Sequence, residues 1–567
     1  MIKGIAVSDG IAIGKIFKLE QPVINIPASS EGEEKELAKL DVAYKKTISD
    51  IESIKERAKT NLSEEELAIF DAHLMLANDP EVRNQIEDSI KQGNNAIKAS
   101  DEVSKNTIAM FECMDDPYFK ERAADVKDVY FRLLCNLSNV EIPDLTAINS
   151  EVVIVAHDLT PSDTAQLNKK YVLGFVTEIG GRTSHSAIMA RSLEIPAVVG
   201  TNRILSECKT GDSLILDALK GEVYLNPSDS EIANYETIKK NFVEEKEALK
   251  KLINEESISN DGHKVEIAGN IGTPNDATGV IENGGDGIGL YRTEFLYMNS
   301  KACFPSEDVQ FEAYKSVLES MNGKRVVVRT LDIGGDKKLD YFTFPQEMNP
   351  FLGYRAIRLC LDKKDIFKTQ IRALLKASVY GNLCIMFPMI ATVNEFKEAK
   401  QFVLDTKEEL IKEGVKVSDS IEIGMMVEIP AAAALADEFS KYADFFSIGT
   451  NDLIQYSMAA DRMSEKVSYL YQPLNPSILR LVKMAIDGAH KNGKWCGMCG
   501  EMAGDILAAP VLLGLGLDEF SMSASSILKT RKMIRNLSYT DMQELSKKAI
   551  ELDTAEDVAE LIKANLK

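Results

Sequence analysis

A histidine stands shortly after a glycine pair, where the sequence predicts the start of a helix. Residues 180–191 read GGRTSHSAIMAR and follow an apolar, strand-like run at 172–177. Two hydroxyl residues precede His185 and favour helix capping, so the imidazole is predicted in the first helical turn. Unpaired backbone N–H groups and the helix dipole favour negative charge there, and the same field favours a neutral, nucleophilic imidazole. Such a histidine could carry a phosphoryl group; a capping or core histidine is the alternative interpretation.

Arginines, carboxylates and a cysteine recur at the ends of predicted strands in the C-terminal half of the chain. From residue 265 a pattern of strand, loop and helix repeats to about residue 530, and eight such units predict a (β/α)8 barrel. The strands are predicted at 265–269, 287–291, 325–328, 353–357 (a weak one), 383–387, 421–426, 445–448 and 494–497.

In a barrel of this kind the C-terminal ends of the strands form the active site. Arg292 follows the second predicted strand and Arg329 the third, and an arginine fork matches phosphate or carboxylate groups. Carboxylates suit Mg²⁺, which binds through one or two of them together with substrate oxygens. The cluster predicts a site for a small ligand carrying phosphate and carboxylate, with ion pairing as the alternative for any single pair. Its other members are Glu428 after the sixth strand, Asn451 and Asp452 after the seventh, and Cys499 after the eighth.

The histidine segment resembles the phosphohistidine signature shared by enzyme I of the phosphoenolpyruvate:sugar phosphotransferase system, pyruvate phosphate dikinase and phosphoenolpyruvate synthase. The glycine pair, Thr183-Ser184-His185 and Ala190-Arg191 match it residue by residue. The resemblance covers the whole chain from Gly4 onward and is greatest to the enzyme I family. It implies transfer of the phosphoryl group of phosphoenolpyruvate to His185 and then to a histidine of the phosphocarrier HPr. Pyruvate would be released in what is the first step of sugar uptake by that system.

The resemblance also implies roles for the residues at the strand ends. Cys499 would protonate the enolate left after phosphoryl transfer, and Thr164 would orient the ring of His185. Because His185 and Cys499 fall in different predicted domains, the phosphohistidine would have to swing between two sites. The ligands of phosphoenolpyruvate would be Arg292, Arg329, Asn451, Asp452 and Arg462, and those of Mg²⁺ would be Glu428 and Asp452. Arg355, at the fourth predicted strand, is a weaker candidate for the phosphoenolpyruvate site.

Changes of pattern along the chain predict a multidomain α/β protein. A swivelling phosphohistidine α/β domain is expected from residues 1–20 and 146–229. A helical bundle of about four main helices, at 21–145, is expected as an insertion that binds HPr. A connecting helix at 230–258 then leads to the phosphoenolpyruvate-binding barrel at 259–567. The HPr surface is expected at Glu64, Glu65, Glu66, His73 and Glu81, although a solvated acidic helix face is the alternative for each of them.

The composition restricts partners and compartment. With 88 acidic and 66 basic residues the net charge is −22, which disfavours nucleic acid and anionic membranes as partners. No apolar run approaches the ~20 residues of a membrane span, and no signal peptide is recognised. Eight scattered cysteines are typical of reduced thiols, so we expect a cytoplasmic protein. A homodimer through the barrel is implied by the family resemblance alone.

Three alternative functions remain open from the sequence. Cys496 and Cys499 form a CxxC pair, which could be a redox site, although Cys496 is expected inside a strand. A dikinase-like phosphoenolpyruvate/pyruvate enzyme would need a nucleotide-binding domain that we do not expect here, and the glycine-rich residues 284–289 are interpreted as a turn before a strand. A non-catalytic regulator with the same fold is disfavoured because His185, Glu428, Asp452 and Cys499 are all present.

Overall fold

A computed structural model of the 567-residue chain divides into two compact units, Met1–Glu245 and Lys246–Lys567. It describes residues 1–20, 22–58, 64–113, 117–143, 145, 148–168, 170–181, 184–193, 195–298, 300, 303–335, 337, 339 and 341–566. Each unit is described by itself. No helix in these ranges is both long and apolar enough to cross a membrane.

The first unit contains an eight-stranded sheet with the order β1-β8-β7-β3-β4-β5-β6-β2. Strands β3 and β4 are parallel neighbours, paired from Lys15↔Val152 to Leu19↔Ala156, although a long helical segment separates them in sequence. The helical segment therefore leaves the sheet after β3 and returns to it at β4. The strands are β1 Ile2–Lys3, β2 Ile5–Ser8, β3 Ile11–Leu19, β4 Val152–Ala156, β5 Val172–Thr177, β6 Ala197–Val199, β7 Ser213–Asp217 and β8 Glu222–Leu225.

The described residues of the helical segment form five α-helices, one more than the four or so main helices predicted. Its helices are α1 Glu33–Ala58, α2 Glu64–Ala77, α3 Pro80–Lys91, α4 Ala96–Glu112 and α5 Pro117–Ser138. The side chain of Asn95 accepts a hydrogen bond from Lys98 N and caps α4, which separates α4 from α3 across a short turn.

His73 lies inside this bundle and cannot belong to a docking surface. Its side chain is buried, and Nε2 lies 3.2 Å from Oδ1 of Asp125 on α5. Glu81 is exposed, while the side chains of Glu64, Glu65 and Glu66 lie outside the described part of the chain.

Four further helices follow among the described residues: three lie within the first unit, and the fourth runs past its last residue. They are α6 Pro161–Ala165, α7 His185–Ser192, α8 Ile204–Glu207 and α9 Asp229–Lys250. Helix α7 begins at His185, as the sequence predicts, and Oγ of Ser184 accepts a hydrogen bond from Ala187 N at 3.4 Å. Arg182 and Thr183 lie outside the described residues. Helix α9 crosses the boundary between the units.

The second unit is a closed barrel of eight parallel strands, which confirms the predicted barrel fold. One strand prediction is wrong, because residues 353–357 form a loop and a helix start. The strand predicted at 494–497 is present but is the seventh, and the eighth, Glu519–Met522, was missed. Consequently Glu428, Asn451 and Cys499 follow the fifth, sixth and seventh strands. The strands are β9 Glu266–Ile271, β10 Ile288–Arg292, β11 Arg325–Arg329, β12 Asn382–Phe387, β13 Glu422–Val427, β14 Phe445–Ile448, β15 Trp495–Met498 and β16 Glu519–Met522.

Helices surround the barrel and pack against an apolar core of strand and helix residues. They are α10 Asp276–Glu282, α11 Glu294–Met298, α12 Glu307–Ser320, α13 Ile357–Asp362, α14 Lys364–Ala377, α15 Val393–Lys412, α16 Pro430–Ala434, α17 Ala436–Phe439, α18 Thr450–Met458, α19 Pro476–His490, α20 Ala509–Leu515, α21 Ala524–Asn536, α22 Tyr539–Ala549 and α23 Ala555–Asn565.

Candidate active site

A cavity of about 510 Å³ opens at the C-terminal end of the barrel strands. Of the barrel residues that the sequence assigns to substrate, metal or proton transfer, all except the weaker candidate Arg355 line this cavity: Arg292, Arg329, Glu428, Asn451, Asp452, Arg462 and Cys499. They come from strand ends and loops far apart in sequence, so the closure of the barrel brings them together.

Arg329 is buried at the end of β11 and is held by two carboxylates. Its Nη2 lies 2.6 Å from Oε1 of Glu294 and 3.2 Å from Oδ2 of Asp332, and both carboxylates are also buried. Burial opposes the charge of Arg329, but these carboxylates outweigh burial and raise the pKa of the guanidinium. The charge of Arg329 is therefore fixed, and part of it is already neutralised by the protein.

Arg292 and Arg462 have weaker internal partners than Arg329. Arg292 is exposed, and within the described ranges it makes no hydrogen bond or ion pair. Nη1 of Arg462 lies 3.9 Å from Oδ1 of Asp452, and about a quarter of its side chain (24%) is accessible. Both forks are accessible to an anion in the cavity.

Glu428 and Asp452 are nearby carboxylates, and each has one buried oxygen without a hydrogen bond to the described residues, although Oδ1 of Asp452 lies 3.9 Å from Nη1 of both Arg355 and Arg462. Oε1 of Glu428 accepts a short hydrogen bond from the backbone N–H of Met389. Its Oε2 and Oδ1 of Asp452 are buried and have no hydrogen-bond partner among the described residues. Burial, followed by the charges of Asp452 and Asp332, raises the pKa of Glu428. A bound cation would supply a partner for these oxygens and would stabilise the ionised form of Glu428.

The two carboxylates of Glu428 and Asp452 are typical of an Mg²⁺ site in which substrate and water supply the other ligands. They are too few for a metal that is held by protein side chains alone. Within the described ranges, no group of three or more His, Cys, Asp or Glu side chains is placed to hold a metal ion. Mg²⁺ is commonly bound by one or two carboxylates, with substrate oxygens and water completing its ligands. Glu428 and Asp452 could supply those two carboxylates.

Asn451 lies in the first turn of α18, where the helix begins beside the cavity. Its Oδ1 accepts a hydrogen bond from the hydroxyl of Tyr471 at 3.0 Å, and its Nδ2 donates to Oε1 of Glu501 at 3.3 Å. These bonds fix the side-chain amide at the entrance. A helix N-terminus next to exposed arginines also favours an anion.

Cys499 follows β15 and is 4% exposed, at the inner wall of the cavity. Burial raises the pKa of its thiol to about 11. The sulfur is therefore protonated at neutral pH, which suits a proton donor better than a nucleophile. Cys496 is buried within β15, and burial raises its thiol pKa further above the ordinary value. These properties disfavour a reactive CxxC redox pair.

Sequence reasoning missed several polar cavity residues, among them Glu294, Asp332 and Lys337. Nζ of Lys337 lies 3.2 Å from Asp332, and the two carboxylates hold Arg329. Glu294 and Asp332 stand two and three residues after the strand-end arginines. Their positions in these loops were a usable signal.

Arg355 is not among the residues that line the cavity, and its predicted position at a strand end is wrong. Its Nη1 lies 3.9 Å from Oδ1 of Asp452, a cavity residue, so its weaker assignment as a ligand-binding arginine stays a prediction. It is buried behind the site, where Nη2 lies 2.7 Å from Oδ1 of Asp332 and Nη1 donates to the hydroxyl of Tyr456 at 3.2 Å. Its backbone belongs to the loop after β11 and not to a strand.

His185 belongs to the other unit. Its backbone opens α7, and its side chain lies outside the described part of the chain. The buried Thr164 lies on α6, which packs against α7, and Oγ1 of Thr164 donates to the carbonyl of Thr160 at 3.2 Å.

Comparison with known proteins agrees with this division of the chain. Models of PEP-utilising enzymes match in three parts: the N-terminal model at residues 3–122, the mobile-domain model at 148–221 and the PEP-binding-domain model at 246–539. The phosphoenolpyruvate-protein phosphotransferase of Listeria innocua is 59% identical over 563 residues, covering 99% of this chain and 98% of that protein. The chain belongs to the phosphoenolpyruvate–protein phosphotransferase family.

Other members of the family match over the same extent. The phosphoenolpyruvate-protein phosphotransferase of Staphylococcus carnosus is 58% identical and also matches 99% of this chain and 98% of its own length. A solution structure titled as enzyme I (nEIt) is 45% identical over 43% of this chain and 99% of its own, with a TM-score of 0.39.

Proposed function

We propose that this chain takes the phosphoryl group of phosphoenolpyruvate onto His185 and passes it to a histidine of the phosphocarrier HPr, releasing pyruvate. The observation that carries the proposal is the cavity that gathers seven predicted barrel residues, in a chain that matches phosphotransferases along nearly their whole length. Its place as the first step of sugar uptake is proposed on the same family membership.

Phosphoenolpyruvate would bind through its charged groups. Arg292 and Arg462 supply guanidinium forks that are open to the cavity, while Arg329 supplies a fixed positive charge behind them. Asn451 would donate its amide at the entrance. A loose phosphoryl-transfer transition state spreads negative charge over the equatorial oxygens, so fixed cations stabilise it with little reorganisation.

Mg²⁺ is proposed as the cofactor, held by Glu428 and Asp452. It would neutralise charge on the phosphoryl oxygens of the bound substrate. The protein itself contributes Oε2 of Glu428 and Oδ1 of Asp452, two buried oxygens without a hydrogen bond to any described residue. The N–H of Met389 orients the Glu428 carboxylate.

After phosphoryl transfer, an enolate of pyruvate would remain in the cavity. Cys499 is proposed to give its proton to C3 of that enolate; the S–H bond breaks, a C–H bond forms, and solvent later reprotonates the thiolate. The raised thiol pKa keeps the proton on sulfur until the enolate, a stronger base, is present.

His185 and the cavity lie in different units, so the proposal requires the phosphohistidine to move between donor and acceptor sites. The proposed docking surface for HPr is the acidic face of the helical segment, including the exposed Glu81. We also propose a homodimer through the barrel and a cytoplasmic location. The location is supported by eight cysteines that are all free thiols.

Two other functions are less well supported. A dikinase-like enzyme would be expected to match relatives that carry a nucleotide-binding domain, whereas the phosphotransferases above are matched over 98% of their own length. A non-catalytic regulator would not need the full set of cavity residues. ATP in place of phosphoenolpyruvate as the phosphoryl donor distinguishes the dikinase.

The test is labelling with radioactive phosphoenolpyruvate and Mg²⁺, followed by addition of HPr. We expect one acid-labile label per chain, lost to HPr, and no label in His185→Ala. His157→Ala is the matched control, because that histidine is exposed and pairs with Glu178 at 3.0 Å; it should be labelled normally. Full acid-labile labelling of His185→Ala would overturn the assignment.

A further inference from the structure

Asn270 lies at the end of β9 and points across the barrel towards the loop that carries Cys499. Its Nδ2 donates to the backbone carbonyl of Cys499 at 3.0 Å and lies 3.4 Å from the carbonyl of Ser521. Strand β16 stands between β9 and β15 in the barrel. A single side-chain amide therefore spans the seam at which the barrel closes.

The orientation of this amide is itself fixed by a neighbour. Oγ of Ser521 donates to Oδ1 of Asn270 at 2.6 Å, which leaves Nδ2 facing the carbonyl of Cys499. Gly289 makes room for this arrangement, because a Cβ at that position would lie 2.5 Å from Oγ of Ser521. The three polar groups thus form one ordered chain inside the barrel.

Cys499 is held from its other side by β14. Its backbone N–H donates to the carbonyl of Ile448 at 3.1 Å, so strands on both sides fix the peptide groups of this residue. The next residue, Gly500, packs so closely that a Cβ would meet Thr450 at 1.9 Å. The backbone of Cys499 is thus fixed at both peptide groups, and Sγ itself lies 3.9 Å from the carbonyl oxygen of Ile448, so the side chain has a contact of its own that orients the thiol.

We propose that Asn270 is a positioning residue for proton delivery by Cys499: its amide fixes the carbonyl of Cys499 so that the thiol faces one side of the enolate. This inference rests on the proposed function, since it needs Cys499 as the donor. Asn270 is not among the described residues that line the cavity, so its proposed effect acts through Cys499.

The consequence is stereochemical. Phosphoenolpyruvate with one deuterium in the Z position of C3, used in tritiated water, gives a chiral methyl group if the proton is delivered from one side only. A fixed donor gives one configuration, whereas an enolate that leaves unprotonated takes a proton from solvent on either face. A merely structural role for Asn270 would not change this outcome.

The experiment compares full-length Asn270→Ala, Ser521→Ala and wild type, with HPr present. We expect Asn270→Ala to label His185 within about threefold of the wild-type rate. It should form pyruvate about 10- to 100-fold more slowly, the scale of a misplaced reacting group, and with a racemic methyl group. Ser521→Ala should show a smaller decrease in the rate of pyruvate formation and a partly racemic methyl group. Asn283→Ala is the matched control, because that amide donates only to the carbonyl of Gly279 on its own helix.

Each outcome decides between the inference and its alternatives. Wild-type stereochemistry and pyruvate rate in a folded Asn270→Ala would overturn the role of Asn270. If Asn270→Ala fails to fold, Ser521→Ala decides: equal losses in His185 labelling and proton delivery mean a structural role only. Cys499→Ala distinguishes failure of the Asn270 inference from failure of the proposed function. Intact stereochemistry in that variant would remove Cys499 as the donor, and with it the proton step of the proposed function.

Discussion

Arg292 and Arg329 occupy paired positions on neighbouring strands, yet their surroundings give them different roles. Arg329 is buried against Glu294 and Asp332, whereas Arg292 is exposed at the entrance. Removing one partner from a buried ion pair leaves the other charge uncompensated. Removing an exposed arginine costs the folded state little.

Arg292→Ala and Arg329→Ala should therefore separate binding from stability. We expect Arg292→Ala to lose about 1.5–3 kcal/mol of substrate interaction, a roughly 10- to 100-fold lower kcat/KM, with an unchanged Tm. Arg329→Ala should lose activity and also about 3–5 kcal/mol of stability. The measurements are steady-state kinetics and thermal unfolding; equal Tm values for the two variants would contradict the assignment.

Glu519 is a buried acid that the proposed reaction does not use. It is 1% exposed, its Oε2 lies 3.7 Å from Nη1 of Arg325, and its Oε1 has no partner among the described residues. Burial raises its pKa to about 8, from 4.5 as the reference value. Between these values the folded state holds a proton that the unfolded state has released, so stability falls as pH rises.

Glu519→Gln should remove this pH dependence. Its stability relative to wild type should increase between pH 5 and pH 8, by at most about 1.4 kcal/mol per pH unit, because glutamine has no proton to lose. Thermal unfolding at both pH values measures the difference. Glu544→Gln, an exposed residue bound to Lys547, is the control and should show no such trend. A constant difference between wild type and Glu519→Gln would refute a raised pKa.

At the scale of elements, helix α18 begins beside the cavity and is followed by a residue with a strained backbone. It runs from Thr450 to Met458, and the next residue, Ala459, has a φ of 50°, which is in the left-handed region. An L-residue other than glycine or asparagine is disfavoured there, and glycine is the preferred residue at such a helix end.

Ala459→Gly should stabilise the barrel without affecting catalysis. The expected gain is about 0.5–1 kcal/mol, or a Tm about 2 °C higher, with unchanged kcat and KM. Ala460→Gly is the adjacent control: Ala460 is buried at 7% exposure and has no positive φ, so its substitution should lower Tm. A fall in Tm for Ala459→Gly would show that the methyl group contributes more than the strain costs.

Sequence patterns predicted the barrel and its cavity residues better than they predicted its last strand. Strand β16 has only four residues, and Glu519 and Ser521 face the barrel interior, where they meet Arg325 and Asn270. An apolar-inward pattern is therefore absent from that segment. Residues 353–357 look strand-like by composition, but they form a loop because Arg355 must reach Asp332 behind the site. Tertiary polar contacts, which local sequence patterns do not reveal, occur in both segments.

At the scale of the whole molecule, the connecting helix is anchored at each end within its own unit. Near its start, Tyr235 is buried against Tyr224 of the first unit's sheet, with ring centroids 5.4 Å apart. Beyond its end, the buried Arg531 donates to the carbonyls of Leu252 and Ile253 and to Oγ of Ser257. The segment after α9 therefore belongs to the barrel, and a cut at 245/246 leaves both anchors intact.

The fragments 1–245 and 246–567 should each fold and divide the reaction between them. The first retains His185 and the helical segment, so it should accept a phosphoryl group from phosphorylated HPr. It should take none from phosphoenolpyruvate, because every residue of the 510 Å³ cavity is in the other fragment. The second should bind phosphoenolpyruvate with Mg²⁺ and form no phosphohistidine.

The measurement is the radiolabel that fragment 1–245 takes from phosphorylated HPr and, separately, from phosphoenolpyruvate. Circular dichroism is the control for folding. A barrel fragment that begins at residue 258 is the informative comparison. It lacks the partners of Arg531 at 252, 253 and 257, so it should have a lower Tm than 246–567, while its cavity residues are unchanged. If fragment 1–245 alone were labelled by phosphoenolpyruvate, the donor site could not lie in the barrel, and movement of His185 between units would no longer be required.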